Sequence, residues 1–194
     1  MLRADTNVSS LQGLSKIPFP ERSKTKYRNL VAELPENNVV TELTENFLSE
    51  LSWFFLLIER HYFKEALKEW YSASEHVSKG ELYLLRDDSL QFPGLLFQLL
   101  AVTLQFLPPN TKSSVSLGLD QPADCEKLSQ KYSHLGLLVI ELVGKNNPTL
   151  TSIQHDLMRG LWLKNCSQGT EAWRILGNAV RYFTKPPSSE PANT

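Results

Sequence analysis

Residues 95–107, LLFQLLAVTLQFL, place the strongest constraint on the fold. Wound as a helix, this run is apolar on nearly every side, and such a helix is stable only when other elements cover most of its surface. Gln98, Thr103 and Gln105 interrupt it, and it is too short to span a bilayer, which takes about 20 residues. It therefore predicts a central buried helix. Phe92-Pro93-Gly94 opens that helix, with Pro93 in the first turn, where its missing N–H is harmless. Pro108-Pro109 ends it.

The rest of the chain supplies amphipathic helices to surround this core. From Thr41, Leu43, Phe47, Leu51, Phe54 and Ile58 recur at steps of three and four, which puts them on one helix face. Phe63, Leu67 and Trp70 continue at similar steps after a break near Arg60-His61. Residues 71–80, YSASEHVSKG, read as a connector with Gly80 as a stop signal. A polar loop follows over 108–123, and Asp124 caps a helix striped by Leu128, Tyr132, Leu135, Val139 and Leu142. Thr151 and Gln154 have capping-box spacing at the start of the next helix, which carries Ile153, Leu157, Met158, Leu161 and Trp162. After a turn over 165–170, Glu171 lies at the positive end of a last helix. That helix is faced by Ala172, Ile175, Leu176, Ala179, Val180 and Phe183. Residues 1–36, with Pro18, Pro20, Pro35 and the basic run ERSKTKYR, read as a linker-like segment; residues 184–194 read as a disordered tail. No strand-like alternation of useful length occurs. The expected fold is all-α: a multi-helix array of antiparallel hairpins over residues 37–183.

Chemistry is harder to find. The composition, 41% hydrophobic and 21% charged, is that of a soluble globular protein, and the N-terminus lacks the apolar core of a signal peptide. A net charge of −1 gives no basic surplus for gripping phosphates, so the chain is expected to bind no DNA specifically by itself. Cys125 and Cys166, 41 residues apart with no CxxC, form neither a disulfide framework nor a zinc site. His61, His76, His134 and His155 are isolated from one another, and the nucleotide-binding, zinc-protease and serine-hydrolase signatures are missing. His155-Asp156 with Cys166 raises a thiol-nucleophile reading, but adjacent helical residues point about 100° apart, so a helix-surface histidine is the better expectation. Asp87-Asp88 read as caps or solvated charges. No catalytic, cofactor or metal-binding residue is assigned, and no membrane contact is expected. Trp53, Trp70, Trp162 and Trp173 fall on or beside apolar stripes and are assigned to core or interface packing. Gly160 and Gly177, each costing about 1 kcal/mol inside a helix, predict that the last two helices pack closely across them.

Residues 148–183 resemble the middle homology region of fungal zinc-cluster transcription factors, the fungal-specific transcription factor domain. The matching elements are Thr149 to Gln154, an apolar helix Leu157 to Leu163, the break Cys166 to Gly169, and AWRILGNAVR from Ala172 to Arg181. The signature positions are Gln154, Gly160, Trp162, Gly169, Ala172, Trp173, Gly177 and Arg181. Upstream, Leu34-Pro35, Phe47-Leu48, Trp53-Phe54-Phe55, Ile58 to Phe63 and Phe92 to Leu107 are similar to the family's early helices, so the likeness covers about residues 34–183. Two departures stand out. Glu59-Arg60-His61-Tyr62 stands where the family's turn usually has a proline and a histidine before the arginine, and the pattern is lost after Arg181, so the resemblance implies a domain cut short at its C-terminal side. The family's DNA reader needs six cysteines holding two zinc ions, and this chain has two. The resemblance thus implies a nuclear regulatory-domain fragment that controls transcription through intramolecular or effector contacts. Zinc would belong only to the missing N-terminal module. The alternative is a stand-alone helical interaction module that modulates intact regulators, with protein partners or a homodimer as its contacts.

Overall fold

A computed structural model describes residues 20–108, 111–119, 121–144 and 149–184. The described residues are all-α, without strands. The elements are α1 (Glu21–Val31), α2 (Asn37–Asn46), a π-helical turn (Phe47–Leu51), α3 (Ser52–Phe55), α4 (Arg60–Lys79), a short 3₁₀ turn (Leu82–Leu84), α5 (Asp87–Gln105), α6 (Lys112–Ser116), α7 (Pro122–Val143), α8 (Leu150–Asn165) and α9 (Gly169–Thr184).

The apolar run forms the centre, as its pattern requires. Every residue of α5 from Leu90 to Leu104 is buried. Helices α2, α4, α7 and α8 pack against it directly, and α1 reaches it alongside α7. Pro93 does not lie in the first turn: α5 begins at Asp87, so Pro93 sits in its interior, with Asp87 and Asp88 in the first turn. The missing N–H at residue 93 leaves the Ser89 carbonyl, four residues back, without its usual donor. Burial of the whole following segment holds the helix together through that gap.

The α5–α7 pair runs antiparallel. Gly94 and Gly136 meet at the crossing, where a Cβ on Gly136 would lie 2.8 Å from the Gly94 carbonyl oxygen and 3.3 Å from Phe97 Cβ. Further along, Ser133 Oγ donates to Gln98 Oε1 at 3.2 Å and Ser129 Oγ donates to the Ala101 carbonyl at 2.6 Å. Helix α8 lies beside both. Its start is tied to α5 through Thr149 and Gln91, and its end through Gln105 and Asn165. A short turn then brings α9 back onto α8, where a Cβ on Gly160 would lie 2.7 Å from Leu176 Cγ. The close approach expected at Gly160 is therefore present. The one expected at Gly177 is not: no atom lies within 4 Å of a Cβ placed there, because Gly177 is turned away from α8.

Other expectations change for equally local reasons. The linker assigned to residues 1–36 contains α1 in its described part, with Tyr27 fully buried and its hydroxyl donating to the Leu90 carbonyl at 2.8 Å. Residues 1–19 lie outside the described residues, as does the tail from 185 onward. The connector expected over 71–80 is the second half of α4, which runs to Lys79 with Val77 buried and Gly80 in the left-handed conformation as its stop. The break before α4 is real and falls at Leu56–Glu59. There Leu56 has φ 51°, and the Glu59 side chain accepts from the Tyr62 amide at 2.8 Å. Asp124 does not cap α7, which starts at Pro122 behind Gln121. The capping box of α8 is made by Thr149 and Ser152, at 3.1 and 3.0 Å, rather than by Thr151 and Gln154. Gln154 instead donates to the Leu57 carbonyl at 3.2 Å, across 97 positions of sequence. The side chains of Phe54 and Phe183 lie outside the described residues.

Candidate functional site

Three glutamines on α5, Gln91, Gln98 and Gln105, stand seven residues apart and so share one helix stripe. Buried amides need partners, because an unmatched polar group in an apolar setting costs about 1–3 kcal/mol. The facing helices provide them except at Gln98, whose Nε2 is buried without a partner. Gln91 Nε2 donates to the Gly144 carbonyl at 3.0 Å, Gln98 accepts from Ser133, and Gln105 Oε1 accepts from Asn165 Nδ2 at 2.9 Å. This polar stripe specifies how α7 and α8 sit on an otherwise uniform apolar rod.

At the Gln105 end the stripe opens into a cleft of about 890 Å³ between the C-terminal ends of α5 and α8 and the N-terminal end of α7. Its size is that of a small-molecule site. Leu104, Leu107, Leu119 and Trp162 give it an apolar floor, while Gln105, Gln121, Gln130, Asn165 and Gln168 give it neutral amides. Glu126 is the one charged side chain among the described residues lining it. Trp162, almost fully buried, is fixed by donating Nε1–H to Ser129 Oγ at 2.9 Å, and Ser129 is itself anchored on α5.

Both cysteines line this cleft and both are half-buried free thiols. Gln105 Nε2 donates to Cys166 Sγ at 3.3 Å and lies 3.4 Å from the Trp162 carbonyl. Burial pushes the Cys166 thiol above its ordinary value, outweighing that amide contact. Burial, then the negative charge of Asp124, raises Cys125 in the same direction. Both are protonated at neutral pH, and neither is an activated nucleophile.

The family-signature residues do not converge on one site. Trp162 forms a wall of the cleft; Gln154 ties α8 to the segment before α4; Gly160 and buried Ala172 serve the α8–α9 contact. Gly169 is exposed at the start of α9, and Arg181 is exposed near its end. Trp173 is 78% exposed on the outer face of α9, beside Val180 at 57%, so it is no core residue. Trp53 is likewise 69% exposed, whereas Trp70 and Trp162 are buried as expected.

His155 is also placed otherwise than expected. It is fully buried rather than on the helix surface, with Nδ1 3.0 Å from Asp156 Oδ1. Eleven residues separate it from Cys166 along α8, about 16 Å of helix, so the two do not form a thiol–imidazole pair. Among the described residues no group of three or more His, Cys, Asp or Glu side chains could hold a metal ion, and no helix is long and apolar enough to cross a membrane.

No family model, curated protein or solved structure matches the chain. The cleft must be interpreted from its own chemistry. Sequence reading misses it because its polar lining comes from three separate segments. The seven-residue spacing of Gln91, Gln98 and Gln105 inside an apolar helix is the one local signal pointing toward it.

Proposed function

We propose that this chain is a regulatory helical domain of a transcription regulator of the fungal zinc-cluster kind, acting in the nucleus through effector or partner contacts. Its work is recognition, not bond-making, and it needs no cofactor of its own. The single observation that carries the effector part is the cleft at the end of α5. The same helical hairpin that resembles the family contributes Trp162, Asn165, Cys166 and Gln168 to its lining. A near-neutral, amide-rich cleft with an apolar floor suits an uncharged small molecule better than a nucleic acid. The balanced charge of the whole chain supports the same assignment.

The test is a tethered reporter. The chain is joined to a heterologous DNA-binding module, and transcription is compared with that from the module alone. The expected outcome is altered transcription at equal protein level. An unchanged reporter, or a sequence-selective and salt-sensitive gel shift by the chain alone, would overturn the proposal.

One observation favours the second reading, a free-standing interaction module. Trp173 and Val180 expose a large apolar area on the outer face of α9, and exposed tryptophan is a frequent anchor at protein interfaces. On that reading Trp173→Ala abolishes co-purification with an intact regulator while leaving the melting curve in place. If co-purification survives the substitution, this second reading fails.

A further inference from the structure

Helix α1 carries four cations and one acid, in a chain whose net charge is −1. Two of the cations are used within the fold. Lys24 Nζ lies 2.7 Å from Glu21 Oε1, and Arg28 Nη1 donates to the Ser78 carbonyl on α4 at 3.4 Å. The other two, Arg22 and Lys26, are exposed, and their side chains make no ion pair or hydrogen bond among the described residues. Four positions apart, they share one helix face with Thr25 and Asn29. That face is one wall of a groove of about 760 Å³, and α7 supplies the other wall through Lys131 and Leu135. Leu30 and Leu135, each 8% exposed, form its floor. Just past the C-terminal end of α1, Glu33 Oε2 pairs with Lys131 Nζ at 2.7 Å across the groove. Neither free cation helps α1 to form. Arg22 stands in the first turn, at the positive end of the helix dipole, where a cation is unfavourable. Like charges four residues apart also repel. The sequence bears this cost on a face where nothing in the fold uses the charge.

We propose that the groove between α1 and α7 is a docking site for an acidic peptide segment of a partner protein. The segment sets carboxylates against Arg22 and Lys26 and an uncharged or basic end over Glu33, which repels acids. Charge complementarity decides the occupant, and the shape of the groove narrows it. A bilayer would need apolar side chains pointing outward from α1, but Tyr27 and Leu30 are turned inward and buried. Nucleic acid draws its affinity from many phosphate contacts, and this groove offers two free cations beside a carboxylate. Thr25 and Asn29 supply hydrogen bonds for a peptide backbone between and beyond those cations. The groove shares no lining residue with the cleft at the end of α5, so the proposal stands apart from the effector interpretation of that cleft.

The experiment titrates the full chain into the peptide EEDELAK, labelled with rhodamine at its N-terminus, and follows fluorescence anisotropy. The expected result is saturable binding of one peptide per chain that weakens as sodium chloride is added, with no binding of QQNQLAK. Arg22→Gln combined with Lys26→Gln should weaken binding about tenfold or more. Lys68→Gln combined with Lys164→Gln removes the same charge from exposed positions on α4 and α8 and should stay within about twofold of the parent. Because Arg22 and Lys26 cost α1 stability, their double replacement should melt at or above the temperature of the parent. A lower melting temperature would give these cations a role in the fold and overturn the proposal. So would a parent that ignores EEDELAK, unchanged affinity after the groove replacements, or an equal loss in the control variant. Capture of duplex DNA, or of vesicles of equal parts phosphatidylserine and phosphatidylcholine, in preference to the peptide would overturn it as well.

Discussion

Replacing Gly136 by alanine and replacing Gly177 by alanine should move stability in different directions, although both lie inside helices. Each replacement gains about 1 kcal/mol of helix propensity. At Gly177 nothing opposes that gain, since no atom lies within 4 Å of the new Cβ. At Gly136 the new Cβ would sit 2.8 Å from the Gly94 carbonyl oxygen, a backbone atom that cannot rotate away, and 3.3 Å from Phe97 Cβ. The α5–α7 crossing must widen, and overpacking of this kind costs about 1–3 kcal/mol. The propensity gain is common to both variants, so their difference isolates the steric cost. For a chain of about 150–250 residues each kcal/mol moves Tm by about 2–4 °C. Gly136→Ala should therefore melt roughly 2–12 °C below Gly177→Ala by circular dichroism. Equal melting temperatures, or a more stable Gly136→Ala, would refute the claim that α5 and α7 are set by a glycine-to-glycine contact.

Two more outcomes follow from named contacts. Thr149→Ala should cost about 1 kcal/mol in urea unfolding by removing the α8 cap, whereas Thr151→Ala should stay within about 0.5 kcal/mol of the parent. Tyr27 is fully buried, and burial raises its hydroxyl well above the usual tyrosine range. The unfolded chain loses that proton near pH 10 while the folded chain keeps it, so stability is complete below about pH 10 and falls as pH rises above it. Tyr27→Phe should flatten the decline of Tm between about pH 9 and 11.5. A decline as steep as the parent's would contradict the burial of this hydroxyl, with Tyr132, pushed up to about 12, contributing equally to both curves.

The sequence is most legible where burial is nearly complete. An all-round apolar run such as 95–107 has few alternatives to a central helix, and the stripes of α7 and α8 need little context. Legibility fails where one sparse contact decides the structure. The basic segment of α1 reads as linker because only Tyr27 and Leu30 are buried, and tertiary contact with α5 and α7 fixes it. The second half of α4 reads as connector because Val77 is its one fully covered apolar residue after Trp70. Trp173 reads as a packing residue by its type, yet rotation of α9 about its own axis turns it outward. The cleft is the least legible of all. Its lining residues are ordinary amides and thiols, and only the pairing of three helices brings them together.

The most direct test of the regulatory proposal is the tethered reporter repeated with the cleft filled. Gln130 is exposed on the cleft rim, so Gln130→Trp should occupy the opening without disturbing the core. The parent chain should alter reporter output, and Gln130→Trp, at equal abundance and with an unchanged melting curve, should abolish the alteration. A parent indistinguishable from the DNA-binding module alone, or a filled cleft that regulates as the parent does, would contradict it.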